Sequence, residues 1–64
     1  MTKGKYIKLI FGLKLKQLRQ EKHMSLSALA SKSNLSVSYL NEIESGKKYP
    51  KADKIAILSD ALGV

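Results

Sequence analysis

The chain contains no cysteine, a single proline, a single histidine and only five acidic residues among 64. Without cysteine there is no disulfide framework to staple a small fold and no thiolate zinc site. Long hydrophobic runs are also missing. The most apolar stretch, Tyr6 to Leu15, is broken by Lys8, Gly12 and Lys14, so neither a membrane span nor a signal peptide is expected. That reading places the protein in the cytoplasm. No segment shows the alternation of a half-buried strand, and there is no internal repeat or low-complexity tract. His23 has no cysteine and no acidic cluster beside it in sequence, so no metal site is expected. Ser31 and Ser33 lack a His–Asp pair to activate them, which removes nucleophilic catalysis. A chain this short also forms no deep pocket. An enzyme, a bound cofactor and a small-molecule ligand are therefore not expected.

What is present is positive charge. Twelve Lys and Arg against five Asp and Glu give a formal net charge of +7. That balance favours a polyanionic partner, nucleic acid first and an anionic membrane surface second. Seven of the basic residues lie within Lys3–Lys22, where Glu21 is the one acid. Lys47, Lys48, Lys51 and Lys54 form a second group. Sixty-four residues make one domain, 1–64, with a marginal core that relies on well-packed helices.

The apolar spacing predicts four helices. Met1–Lys5 is polar and expected to fray. From about Tyr6 to Lys22, Ile7, Phe11, Leu15 and Leu18 recur at steps of four, four and three and share one face. Tyr6, Leu9 and Leu13 fall on nearly the opposite face, as an apolar patch suited to a neighbour. Gly12 costs a helix ~1 kcal/mol, which implies that another element packs close there. His23-Met24 ends the first helix. Ser25 is an N-cap for Leu26–Ser33, whose inward residues are Leu26, Leu29 and Ala30. Asn34 tolerates the left-handed conformation and makes a tight turn. Ser45–Pro50 is a loop, and Pro50 suits the start of a last helix over Lys51–Leu62, with Ile55, Leu58 and Leu62 inward and Gly63 as its stop.

The stretch Leu35–Lys48 organises the rest. Ser36 can cap a helix over Val37–Ser45, and Gly46 can close its last turn. Leu40 and Ile43 make a narrow apolar stripe. Val37, Ser38, Asn41, Glu42 and Ser45 leave an outer face of small and polar side chains, which can approach another surface closely. Two lysines follow directly. Helix, tight turn and helix over residues 26–45, with this outer face, point to insertion of the second helix in the major groove of DNA.

Ser25 through Gly46, with Leu29-Ala30, the turn at Asn34-Leu35-Ser36, and Tyr39-Leu40…Ile43-Glu44-Ser45-Gly46-Lys47, resembles the helix-turn-helix of the lambda-repressor/Cro-like (XRE) regulators. The resemblance covers about 11–64. It implies a compact all-α five-helix domain of which this chain supplies four helices. It implies base-facing positions at Val37, Ser38 and Glu42, with Asn41 beside them. It puts Ser36, Ser45, Lys47 and Lys48 near phosphates and pairs Arg19 with Glu44 in a salt bridge. For Tyr39, core packing and a hydroxyl contact to phosphate are both open. Three departures stand out: Leu26 where glutamine is frequent, Asn34 where glycine is usual, and Val37 and Glu42 where Gln or Arg often reads bases. The docking mode carries over and the target sequence does not.

The expected function is sequence-specific binding of double-stranded DNA, as the targeting domain of a bacterial or phage transcriptional regulator, with a homodimer on the DNA of the nucleoid. The alternative is a protein-interaction module on the same fold, an antitoxin-like or regulatory adaptor. Glu42 and Val37 lean towards it, whereas the net charge and Lys47-Lys48 lean against it. A basic amphipathic membrane binder fits poorly with the tight turn and interrupted periodicity.

Overall fold

A computed structural model describes the backbone of residues 3–64 and the side chains from Tyr6 onward. Four helices follow one another among the described residues: α1 Lys3–Glu21, α2 Leu26–Ser33, α3 Val37–Glu44 and α4 Ala52–Leu62. α1 packs on α3, and α2 packs on both α3 and α4. The expected fraying of Met1 and Thr2 lies outside the described residues. Lys3–Lys5, expected to fray with them, continue the backbone of α1.

The helix ends follow from local chemistry. The Ser25 and Ser36 hydroxyls accept the backbone N–H groups of Ala28 and Tyr39, both at 3.0 Å, and so cap α2 and α3. Each helix stops at a residue in the left-handed region: His23 (φ 57°), Asn34 (φ 60°), Gly46 (φ 82°) and Gly63 (φ 74°). The N–H of the following residue then turns back to a carbonyl in the last turn. Met24 donates to Arg19 at 3.1 Å, Leu35 to Ala30 at 3.1 Å, Lys47 to Glu42 at 2.8 Å and Val64 to Ser59 at 3.1 Å. These bonds satisfy carbonyls that a helix terminus otherwise leaves bare. The left-handed turn at His23 has no glycine to announce it.

The core holds Leu15, Leu29, Ala30, Leu40, Ile43, Leu58, Ala61 and Leu62. Phe11, Leu18, Met24, Leu26, Leu35 and Tyr39 pack around it. Ala30 is buried, and Ser33, the one buried polar residue described, donates its hydroxyl to the Leu29 carbonyl at 2.7 Å. Gly12 is where α1 meets α3. A Cβ built there would lie 2.8 Å from the Glu44 carbonyl oxygen and closer still to that of Ile43. The close approach expected at Gly12 is therefore against the C-terminal turn of α3.

Three expectations need correction. Ile7 shares the angular position of the core-facing residues but is 53 % exposed. It precedes Leu15 by eight residues, or ~12 Å of helix, and lies where α1 overhangs the bundle. Ile55 is half-buried, and Ala61 takes the inner position beside Leu58 and Leu62. Lys51 is extended (φ −70°, ψ 164°) and stands outside α4 as its N-cap, without a side-chain cap. Pro50 is instead a buried wedge two residues ahead of the helix.

Candidate nucleic-acid interface

α3 is held from behind and open in front. Leu40 and Ile43 are fully buried, and Tyr39 leans on the core from the flank. Val37 is 43 % exposed, and Ser38, Asn41 and Ser45 are exposed as well. At ~100° per residue, Val37, Ser38, Asn41 and Ser45 fall within an arc of ~100°. Among these, only Val37 carries an apolar side chain, so the arc can come close to a partner surface without bulk in the way.

Glu42 sits at the margin of this arc, on the Tyr39 side. Its carboxylate makes an ion pair with the Lys48 ammonium at 3.2 Å. The Lys48 ammonium also lies 5.7 Å from the centroid of the Tyr39 ring, within range of a cation–π attraction. The Glu42 carbonyl accepts three hydrogen bonds: from the N–H of Lys47 at 2.8 Å, from that of Lys48 at 3.2 Å and from the Ser45 hydroxyl at 3.2 Å. The turn after α3 is thus folded back over the helix end. Lys47 remains exposed.

The orientation of α3 is fixed from α1. Arg19 Nε donates to one Glu44 carboxylate oxygen at 2.7 Å and Nη2 to the other at 3.0 Å, a two-pronged contact. Its Nη1 donates to the Met24 carbonyl at 2.8 Å. The two side chains are only 12 % and 7 % exposed. The hydrogen bond to Glu44 raises the guanidinium pKa above its ordinary value, against the opposing effect of burial. One arginine therefore ties together the end of α1, the α1–α2 turn and the end of α3. The Met24 contact had no signal in the sequence, because it depends on the left-handed turn at His23.

The apolar patch on α1 is larger than the expected one. Tyr6, Leu9 and Leu13 are all exposed, at 58 %, 38 % and 66 %, and Ile10, at 64 %, joins them. Leu9 leans towards Gly46, where a built Cβ would lie 3.2 Å from its Cγ. Ile10 is legible in hindsight from the steps of four and three in Tyr6, Ile10 and Leu13. On the core-facing side of α1, Phe11 packs edge-on against Tyr49 with ring centroids 5.1 Å apart.

Among the described residues, no group of three His, Cys, Asp or Glu side chains could hold a metal ion, and no pocket opens. No helix among them is long and apolar enough to cross a membrane. A model of the helix-turn-helix family matches residues 15–64. Control protein C.BamHI of Bacillus amyloliquefaciens is 41% identical over 59 residues, which cover 91% of this chain and 73% of that protein. These matches favour DNA over the protein-interaction alternative. With a capped helix pair joined at Asn34 and an open α3 face, the chain belongs to the XRE-type helix-turn-helix family of DNA-binding transcription regulators.

Proposed function

We propose that the chain places α3 in the major groove of a specific operator, as the targeting element of a bacterial or phage regulator acting in the cytoplasm. The observation that carries this is the open arc of Val37, Ser38 and Asn41 on a helix whose other side is locked into the core. Val37 suits the methyl group of thymine, Ser38 bonds to a donor or an acceptor on a base edge, and Asn41 suits adenine. Glu42 is the outermost of the base-facing set and suits a cytosine amino group. Ser36, Tyr39, Ser45, Lys47 and Lys48 ring this arc and serve the phosphates, which set register and carry most of the salt dependence.

Selection from random duplex DNA tests the reading directly. An enriched motif supports it, and a flat pool refutes sequence-specific binding. If one copy neutralises about four phosphates, log K falls with log salt at a slope near −3.6. The absence of binding to any duplex at low salt would refute the DNA reading itself.

We further propose that a second copy meets this one through Tyr6, Leu9 and Leu13, with Ile10 beside them. Steps of three and four along a helix make the narrow seam that a partner helix fills. The patch is short and flanked by lysines, so the pair is weak in solution and is stabilised when both copies share one operator. Sedimentation with and without DNA, on the parent and on Ile10→Lys with Leu13→Lys, tests it. A tight dimer unaffected by both charges would place the interface elsewhere.

A further inference from the structure

We infer that Glu42 acts as an internal competitor for Lys48, so that the pair suppresses binding to the wrong DNA. The inference rests on the DNA reading above and concerns specificity within it. In the free protein the Lys48 ammonium is held against the Glu42 carboxylate at 3.2 Å and near the Tyr39 ring. The turn that carries Lys48 is bonded to the Glu42 carbonyl through the N–H groups of Lys47 and Lys48. Pairing is therefore built into the helix end, and the two groups neutralise each other at the rim of the α3 face.

On a duplex of arbitrary sequence, a phosphate can take Lys48 only by leaving Glu42 unpaired beside a polyanion. The gain from the lysine is then offset by the exposed carboxylate. On the right sequence, a base amino group in the major groove supplies the carboxylate with a new donor. Lys48 is then released to a phosphate at no such loss. The ion pair in the free protein exchanges for two contacts on the DNA, and only a matching base makes the exchange complete. The half-exposed setting of both side chains, 55 % for Lys48 and 40 % for Glu42, lets the exchange proceed without unfolding the turn.

A double-mutant cycle on a mixed-sequence duplex tests this, using the parent, Glu42→Gln, Lys48→Met and the two combined, with circular dichroism to check the fold. Glu42→Gln is expected to strengthen binding about two- to fivefold, the scale of an exposed ion pair. It should also steepen the salt slope by about 0.9, the release of one further counterion. In the Lys48→Met background the same change should leave the slope unaltered and lose most of the gain. An equal gain with and without Lys48 would make Glu42 a general repulsive charge and overturn the inference, as would no gain at all. If none of the four proteins bound any duplex, the DNA reading would fall and this inference with it.

Discussion

Replacing Glu44 by alanine should cost ~3–5 kcal/mol of folding stability. The figure follows from the geometry. The Arg19 and Glu44 side chains are 12 % and 7 % exposed, with two hydrogen bonds of 2.7 and 3.0 Å between them. Removing the carboxylate strands a guanidinium that water barely reaches, with the Met24 carbonyl as its remaining acceptor. A domain of this size has a total stability of ~3–10 kcal/mol, so the loss is a third of it or more. The melting temperature should fall by at least ~12 °C, at ~4 °C or more per kcal/mol. Urea unfolding followed by circular dichroism measures the change, with the slope checked for constancy between variants. Replacing both partners, Arg19→Met with Glu44→Leu, should recover most of the loss, since apolar side chains of similar volume leave no charge unpaired. A Glu44→Ala variant within ~0.5 kcal/mol of the parent, or single losses that simply add in the double variant, would refute the clamp.

Gly12→Ala should destabilise the fold by ~1–3 kcal/mol through overpacking, although alanine is the better helix former. The added methyl would strike the Ile43 and Glu44 carbonyls, and a rise in the unfolding midpoint would show that α1 and α3 are not in close contact there. Ser36→Ala should cost ~1 kcal/mol by leaving the Tyr39 N–H uncapped at the mouth of α3; an unchanged midpoint would contradict this. In binding assays, Lys47→Ala should weaken all duplexes alike and flatten the salt slope by about one. Ser38→Ala should change which base is preferred, and a uniform effect from Ser38→Ala would remove it from the set of readers.

The local features of this protein were decided by the sequence alone. Ser25 and Ser36 sit one residue before apolar periodic stretches, and a serine there caps whatever helix follows. Asn34, Gly46 and Gly63 stop helices because they accept the left-handed conformation that a helix terminus needs. Such preferences involve neighbours within a few positions, so they survive translation into structure with shifts of only a residue or two. Lys51 stands just outside α4, and Ser45 just outside α3. The charge balance likewise needs no coordinates to point at a polyanion.

Tertiary structure decided what depends on where elements end in space. Periodicity gives an angle around a helix but no position along a bundle, so Ile7 and Phe11 share a face while Phe11 packs against the core and Ile7 stays 53 % exposed. Leu9 is the least exposed of Tyr6, Leu9 and Leu13, because Gly46 lies against it, and no spacing within α1 announces that contact. Glu42 was legible as a polar residue on α3. Its partnership with Lys48 was not, because it depends on the turn at Gly46 folding the chain back over the helix end. Arg19 reaches Glu44 across 25 residues of chain and Met24 across five, through a left-handed turn at a histidine that no local rule required. Contacts of that kind exist only once α1 has docked on α3, and they set the direction in which the α3 face is presented.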